Sequence, residues 1–238
     1  MSGKLIIIPT PIGNLDDITL RALEILKTAD AILCEDTRHS SKLLKHHGIE
    51  NKLMPFHQHN EHKALESTLN RINTGDVLAL ISDAGTPGIS DPGFMLVRGA
   101  IAADLEVEVL PGPTAHITAL VGSGLPSEKY VYLGFPPQKK GRQTFWKSLS
   151  EQDFTMVIYE SPHRILKALN EAKEVLGIER LGCVARELSK IHETYHRGKL
   201  HELAEACEQT PFKGEIVLIL EGKAHFEKRQ KAGRQLYW

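Results

Sequence analysis

Three short runs place carboxylates, cations and imidazoles directly behind apolar stretches: Glu35-Asp36-Thr37-Arg38-His39, Tyr159-Glu160-Ser161-Pro162-His163-Arg164 and Arg186-Glu187-Leu188-Ser189-Lys190-Ile191-His192-Glu193. Each follows a predicted strand, so each can point into one cleft. A single run of this kind is commonly a charged helix face. Three at equivalent strand ends point to a functional site. A fourth stretch has a different chemistry. Val77 to Ile81 is continuously apolar, and Ser82 to Gly93 then holds three glycines, two prolines, two serines and two aspartates. That composition ends the strand and brings backbone N–H and C=O groups close to a ligand. Ligands of open α/β sheets bind just past the carboxyl ends of strands. Two loops of similar character, Pro9-Thr10-Pro11-Ile12-Gly13-Asn14 and Pro111-Gly112-Pro113-Thr114-Ala115, strengthen the reading of a binding site.

The elements that must position these groups alternate. Leu5–Ile8 reads as a first buried strand, Ala31–Cys34 as a second, Val77–Ile81 as the central one and Val107–Leu110 as a fourth. Helices are predicted after Asp16 or Asp17, with Leu20, Leu23, Ile25 and Leu26 as the apolar stripe, over Ser40–His47, from an Asn60 cap to Ile72, and over Phe94–Ala103. The alternation restarts at Tyr130, with strands Val131–Leu133, Met156–Tyr159, Leu181–Ala185, Glu193–Arg197 and Ile216–Leu220. Helices are placed around Thr144–Leu149 and from Pro162, in its first turn, to a stop at Gly177. The pattern predicts an α/β protein of two α/β domains, residues 1–113 and 114–222, with the active cleft between them. A basic tail follows at 223–238, carrying Lys223, Lys228, Arg229, Lys231 and Arg234. It reads as a solvated segment or an RNA-contacting arm.

Composition excludes several classes. The chain is 41% hydrophobic and 25% charged with a net charge of −1, so any anionic partner must be met by a local patch. No apolar run approaches the ~20 residues of a membrane span, and no signal-peptide core precedes Pro9. Cys34, Cys183 and Cys207 are far apart and odd in number, which fits a reduced, cytoplasmic protein. No G-x-x-x-x-G-K-[ST] or G-x-G-x-x-G occurs in the required context, against an ordinary nucleotide fold. His57, His59 and His62, with His46 and His47, lack the partners of a tetrahedral metal set. They read as a solvated loop, and no metal is expected.

Together with Leu15-Asp16-Asp17-Ile18-Thr19, these motifs closely resemble the ribosomal small-subunit RNA methyltransferase I family, within the tetrapyrrole methylase superfamily. The resemblance runs to about Gly222. It implies a fold of two α/β domains holding S-adenosylmethionine between them, and 2′-O-methylation of a decoding-region cytidine in 16S rRNA of the small ribosomal subunit. It also implies a homodimer. Gly85-Thr86-Pro87 stands where superfamily members carry a Gly-Asp-Pro loop, so cofactor contact is carried over to Pro11, Asp83, Thr86, Ile89, Ser90, Thr114 and Ala115. A ribose hydroxyl is a weak acid and needs a base or a nearby cation. Glu35, Glu187 and His192 are the candidate bases, with Arg38, Arg186 and Lys190 orienting phosphates. Lys139, Lys140 and Arg142 are expected as RNA backbone contacts. Two other readings are a methyltransferase of corrin or tetrapyrrole precursors and a non-catalytic ribosome-assembly factor.

Overall fold

In the computed structural model, which describes residues 3–57 and 60–232, the apolar runs of the N-terminal half become one parallel sheet. The elements are β1 (Lys4–Ile7), α1 (Leu20–Thr28), β2 (Ala31–Cys34), α2 (Thr37–His46), β3 (Leu53–Pro55), α3 (Glu61–Asn73), β4 (Val77–Leu80), α4 (Phe94–Ala102) and β5 (Glu106–Val109). The strand order is β3-β2-β4-β1-β5, every pair parallel. Side chains alternate across a strand, so a strand covered on both faces must be apolar throughout. Ile6, Ile32 and Ala79 pack on one face with Ala22 and Leu26 of α1 and Leu43 and Leu44 of α2. Leu5, Leu33 and Leu78 pack on the other with Ile72 of α3 and Leu96 and Ala100 of α4. Each such Leu or Ile side chain taken from water contributes roughly 1.5–3 kcal/mol.

Two helix starts differ from the sequence reading. Asp16 and Asp17 lie in a 3₁₀ turn capped by Asn14, while Thr19 caps α1 by accepting from Ala22 N at 3.1 Å. Helix phase then buries Ala22 and Leu26 and leaves Leu20 82% exposed. Asn60 stands at the N-cap of α3 but does not cap it with its side chain. Its Oδ1 accepts from His57 N at 2.8 Å and its Nδ2 donates to Pro55 O at 2.9 Å, closing the preceding loop instead.

The chain divides into two units, residues 1–114 and 115–238. The second contains α5 (Ala115–Ser123), β6 (Tyr130–Tyr132), α6 (Arg142–Ser148), β7 (Thr155–Glu160), α7 (Ile165–Leu176), β8 (Leu181–Arg186), β9 (Thr194–Lys199), α8 (Leu200–Gln209), β10 (Ile216–Leu220) and α9 (Lys223–Ala232). Its sheet runs β6-β7-β10-β8-β9; β6 and β7 are parallel and the other pairs antiparallel. Met156, Ile158, Val184 and Leu218 form its core with Ala168 and Leu169 of α7 and Leu203 of α8. Pro162 lies before α7, which starts at Ile165 and ends at Gly177 with φ +93°. The basic tail is helical over Lys223–Ala232. The Arg229 guanidinium meets both oxygens of the buried Glu221 carboxylate at 3.1 and 3.0 Å, and Arg180 lies over the Phe226 ring at 4.7 Å. Lys228 and Lys231 stay exposed, and Arg234 lies outside the described residues.

Candidate active site

Because β1, β2, β4 and β5 are parallel, the loops that follow them leave the same edge of the first sheet. Those after β1, β4 and β5 are the Gly/Pro-rich segments, that after β2 is the charged Glu35-Asp36, and hydrogen bonds lace them together. Thr10 N donates to Gly85 O at 2.8 Å and Gly85 N returns the bond to Thr10 O at 3.0 Å. Thr10 Oγ1 also donates to Ser82 O at 3.0 Å. Thr86 Oγ1 donates to Pro113 O at 3.1 Å and lies 2.7 Å from Thr114 Oγ1. The loops after β1 and β5 meet so closely that a Cβ on Gly112 would lie 2.6 Å from Pro9 Cβ, which explains glycine there. Gly85 has φ +83°, a left-handed conformation that disfavours any side chain. Among the residues expected to touch the cofactor, Pro11 is buried, Asp83, Thr86, Ile89 and Thr114 are half-buried, and Ser90 is exposed with φ +61°. Ala115 opens α5 in the second unit.

This edge is acidic. Asp36 N donates to Asp83 Oδ1 at 3.2 Å, joining the ends of β2 and β4. Burial raises the pKa of Glu35, with Asp83 adding repulsion and His57 opposing it. Burial also pushes Asp91 up to about 7, reinforced by Glu35 and Asp83 and opposed by a hydrogen bond with Ser82. Asp36 behaves oppositely: the Arg38 guanidinium meets its two oxygens at 3.1 and 2.7 Å and holds its carboxyl well below the usual range. Asp91 was absent from the residues singled out by sequence. The signal was there in a second aspartate of the same loop, but only folding brings it beside Glu35 and Asp83.

The second unit carries Glu187, Lys190 and His192 in the turn after β8. Glu187 sits at φ +52° and Ser189 at +63°, uncommon for residues with side chains. Glu187 Oε1 accepts from Glu215 N at 2.9 Å and from Lys190 Nζ at 3.1 Å. The Glu215 amide and then Lys190 lower the Glu187 pKa against burial. Burial works against the Lys190 charge, and its bonds to Glu187 and Glu215 outweigh that and raise its pKa. This is a tied ion pair, whereas His192 is exposed. Arg186 Nε donates to Lys213 O at 2.8 Å. Glu35 and Arg38 belong to the first unit, and Glu187, Lys190 and His192 to the second.

Arg142 departs from expectation. It is only 3% exposed, its guanidinium reaching Glu160 Oε2 at 3.1 Å, Glu171 Oε2 at 2.7 Å and Pro137 O at 3.3 Å. A buried carboxylate requires a charged partner, and Arg142 supplies it together with Arg164, whose Nε donates to Glu160 Oε1 at 3.0 Å; buried in this way, Arg142 is not an RNA contact. Lys139 and Lys140 are exposed. The histidines do not share a loop: His46 ends α2, His47 is its C-cap, His62 lies on α3, and His59 is outside the described residues. Among the described residues no group of three or more His, Cys, Asp or Glu could hold a metal ion.

The family profile of the Tetrapyrrole (Corrin/Porphyrin) Methylases matches residues 4–204. Among solved structures, the methyltransferase CobJ has a TM-score of 0.71 at 19% identity, covering 94% of this chain and 95% of its own. A uroporphyrin-III-C-methyltransferase from Thermus thermophilus has a TM-score of 0.64 at 18% identity, covering 96% of each. Fold and profile thus define a methylase class whose methyl donor is S-adenosylmethionine. At the level of sequence, ribosomal RNA small subunit methyltransferase I of Escherichia coli O157:H7 is 48% identical, over 92% of this chain and 78% of its own length. That of Thermotoga maritima is 42% identical, over 93% and 99%. The chain belongs to the ribosomal RNA small subunit methyltransferase I family.

The acidic edge suits that donor. S-adenosylmethionine carries a sulfonium and an ammonium against one carboxylate, and Glu35, Asp83 and Asp91 lie close enough to repel one another's charge, so a cation beside them favours their ionised forms.

Proposed function

We propose that the protein methylates the ribose 2′-oxygen of a decoding-region cytidine in 16S rRNA, acting on the small ribosomal subunit in the cytoplasm as a homodimer. The observation that carries this reading is the acidic carboxyl edge of the parallel sheet, in a chain whose relatives are named for small-subunit rRNA methylation. Pro11, Asp83, Thr86, Ile89, Ser90, Thr114 and Ala115 are the residues we assign to the cofactor. When bound, S-adenosylmethionine supplies a methyl group already activated by its sulfonium.

The chain's own task is to position a 2′-hydroxyl and take up its proton. Alignment of reacting groups alone accounts for much of the acceleration in such transfers. Glu35 is the base we favour. Burial and the neighbouring Asp83 make its carboxylate more basic than an exposed one, whereas the ion-paired Glu187 is less basic. In this reading Glu187 holds Lys190, and phosphates are oriented by Lys190 and Arg186 of the second unit and by Arg38 of the first. Lys139 and Lys140 contact the RNA backbone.

For the homodimer, Phe94 and Ile101 support an interface: they are seven residues apart on α4, 63% and 64% exposed, and unsuited to water in combination. The test of the function is methyl transfer to small subunits from a strain lacking the modification, read by mass spectrometry of the RNA. Methylation of the cytidine ribose is expected; transfer to a base or to no RNA overturns the reading.

A further inference from the structure

Three phenylalanines are exposed among the described residues: Phe94, Phe135 and Phe154. Phe94 belongs to the apolar α4 face, and Phe154 lies under the Lys129 ammonium at 5.7 Å. Phe135 is different. It follows β6, is 56% exposed, and meets Tyr159 edge-on with centroids 5.4 Å apart. Tyr159 meets Tyr132 at 5.2 Å, and Tyr132 stacks on buried His116 at 4.4 Å. A row of rings therefore fixes Phe135 from behind. The segment that follows is fixed too. Arg142 donates to Pro137 O while its guanidinium is held by Glu160 and Glu171, and Arg142 N donates to Lys139 O at 3.2 Å. Exposed Lys139 and Lys140 thus stand on an anchored turn four and five residues beyond an exposed ring.

From this arrangement we infer that Phe135 is a stacking platform for an unpaired base of the RNA substrate, with Lys139 and Lys140 on the flanking phosphates. This rests on the RNA reading above and deepens it. An apolar ring kept in water beside cations matches single-stranded nucleic acid, which offers a π-face and a phosphate at each nucleotide. Methylation of a 2′-oxygen inside a folded rRNA requires that nucleotide or its neighbour to leave its stack, and an aromatic side chain offsets the loss. Because the rings behind Phe135 hold it in place, little side-chain entropy is lost on binding.

The experiment compares Phe135→Ala, Phe135→Leu and Phe135→Trp with the unaltered protein. Small-subunit binding is measured across a salt series, S-adenosylmethionine affinity by calorimetry, and KM and kcat by methyl transfer. Loss of one stacked base is worth ~1–3 kcal/mol, so Phe135→Ala should weaken subunit binding by about five-fold to 150-fold. Phe135→Leu should lose nearly as much, because bulk without a π-face does not stack. Phe135→Trp should restore binding. The slope of log affinity against log salt should match the unaltered protein in all three, since no phosphate contact is lost, whereas Lys139→Ala with Lys140→Ala should flatten it. Cofactor affinity should not move. Phe135→Leu binding like the unaltered protein, or a flattened slope in Phe135→Ala, overturns the stacking role while the RNA reading stands. Failure of the unaltered protein to bind and methylate subunits overturns both.

Discussion

At the scale of single residues, Asp91 makes the most of its surroundings. An aspartate in water titrates near 4, and burial beside Glu35 and Asp83 pushes this one up to about 7. Its ionised form therefore appears across neutral pH, adding charge where a cationic cofactor is assigned. S-adenosylmethionine affinity should rise between pH 6 and 8, and Asp91→Asn should remove most of that dependence; calorimetry at several pH values measures both. The linkage to folding has the opposite sense. A carboxyl whose folded pKa is raised contributes stability that is present below about pH 4 and lost as pH rises through about 7. Asp91→Asn should melt above the unaltered protein at pH 8 and lose that advantage by pH 4. A constant difference in melting temperature would mean that Asp91 does not titrate in this window.

At the scale of elements, Arg142 shows how a cation can mislead a reader of sequence. It stands in Lys139-Lys140-Gly141-Arg142 beside two exposed lysines, yet it is the buried counter-charge for Glu160 and Glu171. Arg142→Ala should cost up to about 3 kcal/mol of stability, because Glu160 keeps its buried charge and only Arg164, at 3.0 Å, remains to meet it. Lys139→Ala and Lys140→Ala should change stability by no more than ~0.5 kcal/mol. Denaturant titration separates the two cases. The strands β1, β2 and β4 were legible because two-sided burial demands unbroken apolar runs. The helix α8 was not assigned, although Leu200, Leu203, Ala204 and Cys207 are buried at helical spacing. Its start lacks a Ser, Thr, Asp or Asn cap: Lys199 precedes it, and its backbone N donates to Glu202 Oε2 at 2.7 Å. Loop chemistry was legible wherever Gly and Pro cluster. The pairing of Glu187 with Glu215 was not, because the two residues are 28 positions apart and meet only when β8 lies beside β10.

At the scale of the whole molecule, a net charge of −1 gives no general attraction for RNA. Affinity must come from local cations, and Lys139, Lys140, Lys228 and Lys231 are among the exposed ones. The exposed Phe94 and Ile101 of α4 are the basis of the homodimer proposed above. Sedimentation at micromolar concentration should give about twice the 26.5 kDa monomer mass, and Phe94→Glu with Ile101→Glu should return the monomer. A monomeric unaltered protein would remove the homodimer. Phosphate contacts position RNA without selecting a nucleotide, so selection is left to the shape of the folded subunit. The most direct measurement of the central claim is methyl transfer from labelled S-adenosylmethionine to assembled small subunits and, in parallel, to protein-free 16S rRNA, with the modified nucleotide located by mass spectrometry. The predicted result is a single 2′-O-methylated cytidine in the decoding region, formed efficiently on subunits and poorly on naked RNA. Equal turnover on both, or a methyl group elsewhere than that ribose, would contradict it.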